Sequence, residues 1–265
     1  MQANITKIDY YSCGYCVNNL RLVFRGHGRE KREFGAGVFL MRHRLHGYIL
    51  FDTGYSTDIY NCGLVGRLYN MLNPAFVSPG DMIECQLRAD NIDPSDIGYI
   101  ILSHLHPDHI GGLGAFPNAR ILISQKAYDR YRNPGVRDLI IRKFVPDFFD
   151  RNLVVLSDGQ LSEKTTEYFG AYDMFGDGSV LITNMDGHAY GQICALIEGR
   201  KFLAADTCWG LDLIDKMERM RFLPSKIQDN FEEYLRNGKV LARMRDNGID
   251  LLFSHSKYNN KEIVI

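Results

Sequence analysis

SHLHPDHIGG, residues 103–112, places four side chains able to bind a metal, His104, His106, Asp108 and His109, within six positions. It follows GYIIL at 98–102, an apolar run that reads as a buried strand. In extended chain alternate side chains face the same way, so the imidazoles of His104 and His106 can approach one ion. Pro107 then stops the strand, since it has no N–H to give a neighbour. Gly111 and Gly112 tolerate unusual dihedrals and let the backbone pass close to the ion. Imidazole and carboxylate donors suit zinc, and also manganese, iron or cobalt. The stretch is therefore read as a metal site carried on the end of a strand, not as a solvated loop.

The same pattern recurs along the chain. AGVFLM (36–41), GYILF (47–51), ARILIS (119–124), NLVVLS (152–157), SVLITN (179–184), QICALIE (192–198), KFLAAD (201–206) and IDLLF (249–253) all read as strands. Several end at a residue of one chemical kind: Asp52, His104, His188, Asp206 and His255. Strand ends that converge on one edge are how a rigid sheet assembles a site. A carboxylate closing an apolar strand, as Asp206 does, is costly to bury without a partner, and a metal is its natural one. The other three of the eight histidines, His27, His43 and His46, stand among Arg and Lys and are assigned to surface loops.

Helical spacing is expected over 81–90, over 126–150 with an interruption at Asn133-Pro134-Gly135, and over 225–247 with Gly238 as a candidate break. Strands come in runs with helices between and after them, which favours two sheets covered by helices over a βαβ repeat. The 265 residues, 45% apolar and 24% charged, fit a single globular domain over 1–265. A net charge of -1 with no basic stripe argues against a nucleic-acid partner. No apolar run is long enough for a membrane span. The polar start, MQANITKIDYYSCG, is unlike a signal peptide, so a cytoplasmic location is expected. Cys13 and Cys16 form a C-x-x-C with no second pair and are read as structural thiols.

H-x-H-x-D-H at 104–109, Gly187-His188, Asp206 at a strand end and His255 together resemble the metallo-β-lactamase-fold hydrolases. DTG at 52–54 is similar to that family's first motif, whose Asp orders the metal loop. Within the superfamily, SHLHPDHIGGLGAFPNA, LAADTCW and LLFSHS look most like segments of the N-acyl homoserine lactonases. The resemblance covers residue 36 onward and implies an α/β fold, an αββα sandwich with the site at one edge of two mixed sheets. It also implies two divalent metals, with zinc the first choice. His104, His106 and His188 would hold the first, Asp108, His109 and His255 the second, and Asp206 would bridge them.

Two ions sharing a water lower its pKa toward about 7 and supply a bridging hydroxide at neutral pH. Asp108 would orient that hydroxide and carry its proton to the leaving group. No G-x-S-x-G is present, and Ser103 and Ser254 are read as supports that bond ligands or backbone. The expected substrate is a small lactone or ester bearing an acyl chain. The alternatives are a phosphodiesterase or nuclease of the same fold, and a non-hydrolytic redox or ligand-binding member. A di-iron redox member resembles H-x-E-x-D, whereas here His106 takes the place of that Glu. Three positions depart from the lactonase pattern: Trp209 stands where a Tyr is expected, Gln192 replaces a second His, and Cys208 lies two after Asp206. Tyr190 offers a phenol near the site as a candidate catalytic residue. Segments 55–80 and 126–150 are expected to rim the pocket, their apolar residues serving substrate, core or a homodimer contact.

Overall fold

Residue alternation along the central strands decides the layering. Val38, Leu40, Leu50, Ile100 and Ile121 face one way, into a core with Ile83, Leu87, Ile110, Ala127 and Phe149. Phe39, Met41, Phe51, Ile101 and Leu122 face the other way, into a second core with Ile182, Ala195, Phe202, Leu241 and Met244. A sheet buried on both faces must be covered on both. The computed structural model, which describes residues 2–135, 138–258 and 261–263, is such an assembly: helix, sheet, sheet, helix.

The first sheet contains β1 (Ile5–Asn19), β2 (Lys31–His43), β3 (Gly47–Phe51), β4 (Ala75–Phe76), β5 (Ile97–Ile101), β6 (Arg120–Ser124) and β7 (Leu153–Leu156). The second contains β8 (Lys164–Thr165), β9 (Gly170–Asp173), β10 (Val180–Asn184), β11 (Ile193–Ile197), β12 (Lys201–Leu203) and β13 (Asp250–Leu252); β14 (Glu262–Ile263) returns to the first. Strand order is β14-β1-β2-β3-β5-β6-β7, with β4 on β1, and β13-β12-β11-β10-β9-β8. Both sheets are mixed: β3, β5, β6 and β7 run parallel, as do β12 and β13, and the remaining pairs are antiparallel. The expected αββα architecture is borne out. Among the described residues no helix is long and apolar enough to cross a membrane.

Three expectations need correction. β1, the longest strand, lies outside the set read from sequence, because its alternation breaks at a bulge between Ser12 and Tyr15. Gly14 sits there at φ +86, where a Cβ would meet the Phe76 carbonyl at 2.8 Å. Cys13 and Cys16, an odd number of residues apart on the strand, lie in different cores, so the C-x-x-C is no ligand pair. The helical segment 126–150 is interrupted at Asn133 as expected, but among the described residues it continues only as a 3-10 turn at Arg142–Phe144 and a one-turn helix, Phe149–Asn152, so the main helix is Gln125–Arg132. The segment 225–247 is two helices, Phe222–Ile227 and Phe231–Asp246, and the break falls at 228–230, not at Gly238. Gly238 is interior to the second helix, where a Cβ would lie 2.5 Å from Met217 Sδ.

The break has a tertiary cause. Asp229 N and Asn230 N donate to the carbonyls of His188 and Gly187, so the helix start is docked on the loop after β10. Gly187, at φ +130, permits the contact, since a Cβ there would stand 2.4 Å from Tyr234 N. Gly187→Ala is expected to cost about 1–3 kcal/mol in urea unfolding, because rigid backbone must give way. Gly114→Ala, with open space around it, should stay within about 0.5 kcal/mol.

Candidate metal centre

Two loops at neighbouring strand ends make the first half of the site. After β5 the chain runs extended to His106, and Pro107 opens the single-turn helix Pro107–Ile110. Proline suits that first helical position because its missing N–H would be unpaired there anyway. Asp108 and His109 sit in the turn and are buried. After β3 comes Asp52 at φ +63, a conformation in which a short polar side chain is among the few tolerated. Thr53 joins the loops, donating from N and Oγ1 to the His109 carbonyl at 2.7 and 2.8 Å. Gly111 and Gly112 allow this contact: a Cβ at Gly111 would lie 2.5 Å from Ser56 N, and one at Gly112 2.6 Å from Thr53 O. The glycines thus serve loop-on-loop packing.

All seven expected side chains converge. His104 Nε2 and His106 Nδ1 are 2.9 Å apart, and His188 Nε2 is 3.1 Å from His106 Nδ1. Across from them, Asp108 Oδ2 lies 3.6 Å from His109 Nε2 and 3.7 Å from His255 Nε2. Asp206 stands between the two groups. Its Oδ2 is 3.3 Å from His188 Nε2 and 2.8 Å from His255 Nε2, and its Oδ1 is 3.4 Å from His109 Nε2. Asp206 follows Ala205, held at φ +43, so the chain is bent sharply just past β12. A non-glycine residue there is strained, and such strain collects at functional sites.

The outer nitrogens of the rings decide which atoms face inward. His109 Nδ1 donates to Asp52 Oδ2 at 2.7 Å, His255 Nδ1 to the Gly35 carbonyl at 2.7 Å, and His188 Nδ1 to Gln228 Oε1 at 2.9 Å. Ser103 Oγ donates to Asp52 Oδ2 at 2.8 Å and accepts from His104 Nδ1 at 3.0 Å. A ring that spends its one N–H outward presents a bare Nε2 inward. Four inward lone pairs beside two carboxylates repel one another unless a cation lies among them. Among the described residues, His109 Nε2 and Asp206 Oδ1 are buried with no hydrogen-bond partner, as a metal-ligating pair would be. The donor set therefore fits divalent metal, in groups of His104, His106 and His188; His104, His109 and Asp206; and Asp108, His109 and His255.

The electrostatics divide the site. Burial drives His104, His106 and His188 below the usual imidazole range, so these rings stay neutral donors. Burial acts the same way on His109, but Asp108, Asp52 and Asp206 outweigh it and hold this ring well above the usual range. His255 is raised as well, its burial outweighed chiefly by Asp206. Asp206 is held well below the carboxylate range, since His255, His109 and His188 overcome its burial. The half around Asp108 and Asp206 thus favours positive charge.

Other sequence-predicted residues fall as follows. Ser103 is a support, but among the described residues the Ser254 hydroxyl has no partner, and Ser254 acts through its carbonyl, which accepts from Gly37 N. Trp209 packs edge-on to His188 with ring centres 6.0 Å apart, and its buried Nε1 has no partner among the described residues. Gln192 donates to Thr207 Oγ1 and the Met185 carbonyl, away from the ligand rings. Cys208 is buried, its thiol pushed up to about 12 by desolvation. Tyr190 is 40% exposed at the mouth of a cleft beside His104, His106 and His188, under the Arg130 guanidinium at 4.7 Å. That cleft is walled by Leu105, Arg130, Ile140, Lys226 and Ile227, so it draws on 126–150 and on the Phe222–Ile227 helix. Among the described residues none of 55–80 lines that cleft; Tyr69 reaches the site from another side, 3.3 Å from Asp108 Oδ1. His43 is not on the surface: it is buried, accepts from Leu45 N and His46 N, and meets Asp177 at 3.0 Å. Its ring closes the β2–β3 turn, which its charged neighbours in sequence concealed.

Two residues of the site escaped sequence reading. Gln228 stands in the break between two helices, and the signal for it was the break itself. Tyr69 looked like one more apolar-packing residue of its segment.

The model of the metallo-beta-lactamase superfamily matches residues 34–205. The chain belongs to that superfamily, and it is an enzyme, a metal-dependent hydrolase. The match stops one residue before Asp206 and does not reach His255. N-acyl homoserine lactonase AttM of Azorhizobium caulinodans is 26% identical over 222 residues, covering 80% of this chain and 78% of that protein. Metallo-hydrolase mfmC of Annulohypoxylon moriforme is 31% identical over 192 residues, covering 64% and 47%. Among solved structures, a quorum-quenching N-acyl homoserine lactone lactonase superposes with TM-score 0.74 at 21% identity, covering 99% of this chain and all of the other. AidC, a dizinc quorum-quenching lactonase, gives TM-score 0.66 at 17% identity, covering 97% and 92%. These two likenesses are of fold.

Asp52→Ala should leave both Ser103 and His109 without their acceptor. Metal affinity, measured by competition with a chromogenic chelator, is expected to fall about 10- to 100-fold.

Proposed function

We propose that this chain is a dinuclear metal-dependent hydrolase of a lactone or ester, a small molecule bearing an acyl group. The observation that carries the reading is Asp206 between two donor groups, 3.3 Å from His188 and 2.8 Å from His255. His104, His106 and His188 would hold one ion, Asp108, His109 and His255 the other, and Asp206 would reach both. Zinc is the proposed metal, in keeping with histidine and carboxylate donors and with the dizinc character of AidC.

Divalent ions bound there supply Lewis acidity, which lowers the pKa of water and polarises a carbonyl oxygen. The chain's own residues do the rest. Asp108, buried at the centre, orients the attacking water, accepts its proton at the carboxylate and returns it to the leaving alcohol. Gln228 and Gly35 hold the rings of His188 and His255 in place. Tyr190 stands at the cleft mouth, where its phenol can meet the acyl portion of a bound substrate. Leu105, Ile140 and Ile227 offer that portion an apolar wall.

The lactone or ester choice is supported by relatives named as N-acyl homoserine lactonases. Trp209 is the departure to test, because an indole N–H donates but cannot act as a phenol. His106→Ala is expected to lower kcat/KM by at least about 100-fold and to reduce bound metal. Full activity in the metal-depleted variant would contradict the mechanism. The substrate class is tested with a panel of acyl lactones, aryl esters and bis(4-nitrophenyl) phosphate. Lactone or ester turnover is expected, and turnover of the phosphodiester alone would replace this reading.

A further inference from the structure

Tyr69 is brought inward by the Gly63–Leu72 helix, whose Leu64, Met71 and Leu72 are left exposed while Tyr69 is buried. Its Oη lies 3.3 Å from Asp108 Oδ1 and 2.7 Å from Tyr55 Oη. Chemistry sets the direction of this chain. An ionised carboxylate only accepts, so Tyr69 donates to Asp108, and its lone pair then accepts from Tyr55.

The consequence lies in how Asp108 is divided. Oδ2 is turned toward His109 Nε2 and His255 Nε2, while Oδ1 is turned the other way, to Tyr69. A carboxylate anchored at one oxygen cannot rotate about its own bond without losing that contact. We propose that Tyr69, backed by Tyr55, is a positioning residue: its Oη fixes the carboxylate of Asp108 in the orientation that proton transfer to the leaving group requires. The inference rests on Asp108 as the proton carrier described above. Neither phenol is on the cleft wall, so the effect passes through Asp108 and not through substrate contact.

Tyr69→Phe removes one oxygen and keeps the ring. The expected result, on protein assayed for metal content, is unchanged bound metal and a KM within about twofold. For a lactone or alkyl ester, whose leaving alkoxide needs a proton, kcat should fall about tenfold, the worth of one hydrogen bond to a charged group. For a 4-nitrophenyl ester, whose leaving group departs without a proton, kcat should change less than about twofold. Tyr55→Phe should show the same selectivity with a smaller loss. Equal losses on both substrates, or a loss that follows falling metal content, would mean that Tyr69 is only structural and would overturn the proposal. So would full alkyl-ester activity in Tyr69→Phe. If the unaltered protein turned over neither substrate, the hydrolase reading itself would fail, a result distinct from all of these.

Discussion

Asp52 is the constraint on which the site depends. Fully buried, its carboxylate accepts from Ser103 N, Ser103 Oγ and His109 Nδ1 at 2.7, 2.8 and 2.7 Å. A buried charge is tolerable only when its acceptor sites are filled, and here they are filled by the loop that carries the ligands. The carboxylate thereby orients His109 directly and His104 through Ser103. The left-handed φ of Asp52 turns its side chain into this position directly after β3. Parallel pairing of β3 with β5 brings the two strand ends side by side.

The other proposed ligands arrive by the same physics from the second sheet. β10 delivers the His188 loop, β12 the Asp206 bend and β13 the His255 loop. Each ring is then aimed by a different acceptor: Gln228 for His188 and the Gly35 carbonyl for His255. Gly35 lies on β2 of the first sheet, so the His255 bond also ties the two sheets at the site edge. The proposed metal-binding groups are thus held at the ends of rigid strands, and the segments that shape the cleft are short helices and turns. Such a division lets one scaffold keep its chemistry while the cleft varies.

Much of this was legible in the sequence, for reasons that differ by residue. His104, His106, Asp108 and His109 are neighbours in the chain, so their pattern survives without any tertiary knowledge. His188, Asp206 and His255 were found because apolar strands announce their own ends. β1 was hidden by the bulge at Gly14, which destroys the period-two signal. His43 was misread because an imidazole that caps a turn looks, in sequence, like any histidine among arginines. Gln228 and Tyr69 could not be chosen from sequence, since each owes its role to a partner far along the chain, 40 residues for Gln228 and 39 for Tyr69.

The central claim is that seven side chains from two sheets form one site for two ions. Metal content per chain tests it most directly, measured by elemental analysis on protein saturated with zinc and freed of excess by dialysis. Two zinc ions per chain are expected. A stoichiometry of one or none would contradict it.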